Sequence, residues 1–200
     1  MNPKKVLLLL ANGFEAYEAS VFTDVLGWNK IEGDGSTTVI TCGKHSRLKC
    51  TWNFTVVPEM LLADVDVALF DALAIPGGFE EAGFYEDAFC DEFLAIIREF
   101  DQAGKIIASI CVGALPVGKS GVLEGRQGTT YHLNDGVRQK QLADFGVEVV
   151  DQPIVIDANI ITSSSPATAL DVAFTLLERL TSAENCRGVK RLMGFGGRGS

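Results

Sequence analysis

Short unbroken apolar runs alternate along this chain with longer stretches of helical periodicity. Residues 6–10 (VLLLL), 72–75 (ALAI) and 105–110 (KIIASI) are continuous rather than alternating. That is the pattern of strands covered on both faces of a parallel sheet. Residues 15–29 read as an amphipathic helix, and residues 87–103 as a long one with Phe89, Phe93, Ile96, Ile97 and Phe100 on its core side. Gly104 ends it. Residues 37–41 are β-branched and strand-like, and a hairpin or edge ribbon is predicted around Cys50 and residues 55–57, ended by Pro58. Further on, 113–120 and 134–145 are predicted helices, the second closed by Gly146, and 147–150, 153–156 and 159–162 are short strands. Ser165-Pro166 joins a hydroxyl cap to proline at a first helical position and starts a helix running to residue 180. A polar tail is expected beyond it.

Strand and helix alternate through most of the length. This predicts an α/β fold, a mainly parallel sheet between two helical layers with right-handed crossovers. No repeat or linker divides the chain, so residues 1–195 are expected to form one domain, with 196–200 (GGRGS) as a flexible tail. In such sheets, sites form beyond the carboxyl ends of the strands. The strand ends after Leu10, Ile75 and Ile110 are therefore the places to inspect.

Charge narrows the partners. Seventeen Lys and Arg against 26 Asp and Glu give a formal net charge of −9 with no basic block, which disfavours phosphate backbones and anionic membranes. The expected partners are a small molecule or another protein. The apolar run near Met1 is too short for a secretory signal, and no small-residue cleavage site follows it. A cytoplasmic protein is expected. There the five cysteines, Cys42, Cys50, Cys90, Cys111 and Cys186, would stay reduced. Their odd number and spacing do not fit a disulfide framework or a zinc site, so no metal is expected.

The three strand ends hold unusual residues. After the first comes Gly-Phe-Glu-Ala-Tyr-Glu at 13–18, whose Glu15 and Glu18 share a helix face. After the second, Pro76-Gly77-Gly78 lets the backbone approach a ligand and present bare N–H groups. The third is Ser-Ile-Cys-Val-Gly-Ala at 109–114, an apolar strand, one cysteine, and then small residues opening a helix. A residue at such a strand-to-helix elbow is held exposed above the sheet. The helix N-terminus should lower the Cys111 pKa, Gly113 and Ala114 should keep the approach open, and a protonated carboxyl nearby could bond the sulfur. A free cysteine in an apolar strand is most often a packed core residue, and paired glutamates in a first turn are most often surface charge. Three such features at neighbouring strand ends favour a site.

With these motifs the chain resembles the ThiJ/PfpI superfamily of class I glutamine amidotransferase-like proteins, nearest the branch of the parkinsonism-associated protein deglycase. Thr162-Ser163 and Pro166-Ala167-Thr168-Ala169 resemble that branch's C-terminal strand-to-helix motif, so the likeness covers nearly the whole chain. The resemblance implies a flavodoxin-like three-layer α/β/α sandwich, commonly dimeric, with Cys111 as the reactive cysteine at a nucleophile elbow. It implies Glu18 as the protonated carboxyl on its sulfur, Gly78 and Val112 as oxyanion donors beside Gly77, and Glu15 as a second acidic position. It further implies a cofactor-independent protein acting on small reactive carbonyls, as a glyoxalase or deglycase. The alternatives are an oxidative-stress sensor or chaperone-like protein whose Cys111 oxidises to sulfinate, an intracellular peptidase or amidase, and the family's thiazole-monophosphate biosynthesis label.

The chain departs from its relatives at Ser163-Ser164-Ser165, which replaces a more glycine-containing run at one pocket wall, and at two further places. Many carry histidine directly after a Thr-Thr pair, whereas here Tyr131 follows Thr129-Thr130 and His132 comes one residue late. In an extended segment that shift turns the imidazole to the other face, which weakens a Cys–His dyad and the peptidase reading with it. Trp52 stands where some relatives place an arginine two residues after the cysteine matching Cys50, so no anion site is expected there.

Overall fold

In the computed structural model, residues 3–195 are described; the predicted tail at 196–200 lies outside them. The strands in chain order are β1 (Lys4–Leu10), β2 (Thr37–Gly43), β3 (Leu48–Lys49), β4 (Thr55–Val56), β5 (Met60–Leu61), β6 (Ala72–Ile75), β7 (Ile106–Ser109), β8 (Gln127–Gly128), β9 (Glu148–Val149), β10 (Ile154–Asp157) and β11 (Ile160–Ser163). The helices are α1 (Ala16–Glu32), α2 (Phe84–Ala88), α3 (Asp91–Gln102), α4 (Ala114–Lys119), α5 (Val137–Asp144), α6 (Ala169–Leu180) and α7 (Ala183–Leu192). Seven strands form the central sheet in the order β10-β11-β7-β6-β1-β2-β5. All its pairings are parallel except β10 with β11. Residues 6–10 and all of β6 are buried, as unbroken apolar runs require of strands covered on both sides. Helices α1, α6 and α7 pack together, as do α3, α4 and α5. The result is a flavodoxin-like α/β sandwich.

The chain runs from β1 outward to β2 and β5, then returns to β6 on the other side of β1. This reversal opens a crevice beyond the carboxyl ends of β1 and β6. Strand β7 lies on the other side of β6, so the three strand ends marked by the sequence are neighbours. The ribbon predicted near Cys50 is present as β3 and β4, paired antiparallel.

Several elements differ from the sequence reading. The helix expected over 87–103 is two helices, α2 and α3, parted at Phe89 and Cys90, where Cys90 takes extended backbone (φ −72°, ψ 154°). The buried Asp87 accepts the Asn12 N–H at 2.9 Å and sits 3.0 Å from His45 Nε2, so it serves the first strand loop instead of a continuous helix face. The helix expected from Ser165 begins with a 3-10 turn over Pro166–Thr168, and the Ser165 hydroxyl makes no cap. Its carbonyl instead accepts the Thr168 hydroxyl at 2.7 Å. The expected polar tail contains α7, capped by Ser182 on the Asn185 N–H and burying Cys186 and Val189.

Candidate active site

Cys111 sits one residue after Ile110, at the turn from β7 into a 3-10 turn (Cys111–Gly113) and α4. Its φ is 55°, a left-handed conformation that costs a side-chain-bearing residue about 1–2 kcal/mol. The neighbourhood holds it there: the Thr130 hydroxyl donates to the Cys111 carbonyl at 2.9 Å, and the Gly113 N–H donates to Ile110 O at 2.8 Å. Gly113 does not widen the approach to the sulfur, as the sequence reading expected. A Cβ there would meet Ile75 O at 2.7 Å and the Pro76 carbonyl carbon at 3.0 Å, so its bare backbone lets the elbow pack beneath the Pro76-Gly77-Gly78 loop.

The loop after β1 and the loop after β6 are stitched together. The Glu15 N–H donates to Gly77 O at 2.8 Å and the Phe79 N–H to Gly13 O at 3.1 Å, flanking an isolated bridge between Phe14 and Gly78. This arrangement leaves the Gly78 N–H without a protein acceptor among the described residues. Glu18, one turn into α1, is fully buried, and its Oε2 accepts the Gly77 N–H at 2.6 Å. Its Oε1 is buried with no hydrogen-bond partner among the described residues, and the Glu18 and Cys111 side chains are near enough to shift each other's proton affinity. Burial first, then the charge of Glu15, raises the Glu18 carboxyl to about 8. Partial burial also raises Glu15. Burial thus favours the protonated form of Glu18.

The thiol corrects one expectation. Burial, then the charge Glu18 carries when ionised, pushes Cys111 upward, and only the Val112 N–H pulls notably the other way. Burial favours the neutral form of both groups.

Cys111 is 7% exposed and lines a cavity of about 740 Å³ together with Glu15, Gly78, Val112, Tyr131 and His132. Residues 129–133 belong to no strand, and Tyr131 and His132 both line the same cavity. His132 Nδ1 lies 3.4 Å from Ser164 O, and no hydrogen bond joins His132 or Tyr131 to Cys111 among the described residues. The sequence reading named Thr130 only as a landmark. Full burial of a hydroxyl beside the elbow marks its role, and one sequence does not display burial. Arg138, on α5, also lines the cavity, though it lies far from the three strand ends in sequence. No group of three or more His, Cys, Asp or Glu able to hold a metal ion occurs among the described residues, and no helix there is long and apolar enough to cross a membrane.

Gly77 offers a stability test of this geometry. A Cβ there would meet Glu18 Oε2 and Val112 Cγ2, both at 2.9 Å. Gly77→Ala should force those groups apart and destabilise the fold by about 1–3 kcal/mol, read by thermal denaturation. An unchanged melting temperature would show that the contact has room to relax.

A model of the DJ-1/PfpI family matches residues 4–179. DJ-1 homolog B of Arabidopsis thaliana is 31% identical over 182 residues, 90% of this chain. The chain spans only 39% of that plant protein. A deglycase of Pyrococcus horikoshii is 32% identical over 165 residues, 82% of this chain and 91% of that one. A glutathione-independent glyoxalase of Caenorhabditis elegans is 28% identical over 182 residues, 90% of this chain and 89% of that one. The crystal structure of Drosophila melanogaster DJ-1beta has a TM-score of 0.82 at 27% identity, covering 96% of this chain and 97% of that one.

Proposed function

Because this chain belongs to the DJ-1/PfpI family, we propose that it converts small 2-oxoaldehydes through Cys111, as a glyoxalase or deglycase would. One observation carries the reading: a cysteine held in a left-handed elbow on the wall of an open cavity, paired with a carboxyl that burial keeps protonated. The names of the Pyrococcus deglycase and the Caenorhabditis glyoxalase support the same reaction class.

In the proposed reaction Sγ attacks the aldehyde carbon, an S–C bond forms, and the carbonyl π pair moves to oxygen. The N–H groups of Gly78 and Val112 hold that oxyanion. Glu18 gives its proton to the new alkoxide and takes the thiol proton, so the pair begins and ends neutral. Glu18 next gives its proton to the C2 carbonyl oxygen as it takes the C1 proton, forming an enediol; it then gives that proton to C2 and takes the C1 hydroxyl proton, which leaves a thioester. Water adds to the thioester carbon, the C–S bond breaks, and a proton of the water returns to sulfur. The aldehyde carbon is oxidised as its neighbour is reduced, so the sum is addition of one water and no external oxidant enters. For methylglyoxal the product is lactate. Proton NMR of methylglyoxal with the pure protein, without glutathione, tests this: lactate should accumulate faster than in the protein-free control, and equal rates would overturn the proposal.

The working form is proposed to be a cytoplasmic homodimer without nucleic-acid or membrane partners. Five free cysteines favour a reducing compartment, and the acidic net charge disfavours polyanions. Tyr17 on α1 and Trp52 and Phe54 between β3 and β4 leave large apolar side chains exposed on a groove of about 650 Å³, and Trp28 and Ile31 on α1 are exposed as well. A second copy would cover them. Sedimentation equilibrium should give twice the mass of the chain, and a single-chain mass at micromolar concentration would remove the dimer.

A further inference from the structure

The cavity around Cys111 is far larger than methylglyoxal needs. At about 740 Å³ it falls in the range that holds drug-sized ligands. Much of its wall beyond the sulfur is apolar: Phe79, Tyr131, Leu133, Val137 and Pro166 line it. Leu133 and Val137 are each 54% exposed, so large aliphatic side chains stand open to solvent on the wall of the reactive site. Such area is favourably covered by an apolar group and gains nothing from a small polar one.

Charge sets the second part of the selection. Arg138 faces the same cavity, but its Nη2 donates to Glu80 at 2.8 Å, its Nη1 donates to Gln141 at 2.9 Å, and its guanidinium lies 5.1 Å from the Tyr85 ring centroid. Its charge is thus already answered by a carboxylate. Glu15 and Glu81 line the cavity as well, so a second anion would meet net negative charge.

We infer that this cavity selects 2-oxoaldehydes bearing a bulky, uncharged apolar substituent over methylglyoxal and over anionic analogues of similar size. This rests on the carbonyl-converting reading above. Aldehyde and Cys111 meet as already described, while the substituent lies along Leu133 and Val137 and displaces water from them.

The test compares initial rates for methylglyoxal, 4-methyl-2-oxopentanal and 4,5-dioxopentanoate, the last two matched in size but opposite in polarity. The expected kcat/KM for the branched apolar compound exceeds that for methylglyoxal by roughly tenfold or more, and the anionic compound falls below both. Val137→Asp places a carboxylate in the open wall at the first turn of α5, where a negative charge suits the helix. In that variant the apolar-to-methylglyoxal ratio should collapse toward one. Three results overturn the inference while leaving the reaction class standing: no apolar preference in the unmodified protein, a preference for the anion, or a ratio that Val137→Asp does not move. Turnover of none of the three compounds removes both the reaction class and the inference.

Discussion

Replacing Cys111 by serine is expected to lower methylglyoxal turnover by at least about a thousandfold while leaving the fold in place. The two side chains are close in size, and the elbow depends on groups the substitution does not touch. The Thr130 hydroxyl still binds the residue 111 carbonyl, and Gly113 still packs beneath Ile75 and Pro76. A hydroxyl in the same buried position is far less acidic and far less nucleophilic than a thiol. The Gly78 and Val112 N–H groups and the cavity remain, so some residual rate is expected, as when a nucleophile is removed from an intact site. The melting temperature should change little, which separates loss of chemistry from loss of structure. Lactate formation within tenfold of the unmodified protein would remove Cys111 as the nucleophile.

Glu18→Gln should lower kcat by about a hundredfold or more, because the amide keeps the shape of the carboxyl but cannot pass a proton in both directions. It also has a stability signature. Burial raises the folded-state Glu18 from 4.5 to about 8, so folding holds the proton more tightly than the unfolded chain does. The resulting stability is complete below about pH 4.5 and is lost as pH rises through about 8. The glutamine variant has no such loss. Near pH 4 the two proteins should differ little from this source, while near pH 9 the variant should be the more stable by about 2–4 kcal/mol, read by denaturant titration. Turnover by the unmodified protein should fall over the same upper range, since an ionised Glu18 opposes thiolate formation on its neighbour. A stability difference that grows toward acid pH would show that the fold stabilises the carboxylate instead.

Both predictions depend on residues that the sequence made visible for a simple reason. Continuous apolar runs announce buried parallel strands, and their ends carried Glu18, Gly77-Gly78 and Cys111. Once β1, β6 and β7 are neighbours, those ends must meet. What escaped the sequence depended on contacts distant along the chain. The break between α2 and α3 follows from Asp87 reaching Asn12 and His45, which no periodicity records. Helix α7 was hidden because only Cys186 and Val189 of its ten residues are buried, too few to mark an apolar face. His132 was placed by strand alternation, and residues 129–133 are not a strand. The direction of the Cys111 shift was misjudged because a helix start is legible in sequence whereas the depth of burial is not.

The proposed chemistry depends on a neutral carboxylic acid beside the Cys111 thiol at neutral pH. Infrared difference spectroscopy measures this directly, since a protonated carboxyl has a carbonyl stretch distinct from that of a carboxylate. The account predicts a protonated-carboxyl band in the unmodified protein near neutral pH, disappearing as pH rises through about 8 and absent from Glu18→Gln. A spectrum with no such band above about pH 5.5, where an ordinary glutamate is already ionised, would contradict it.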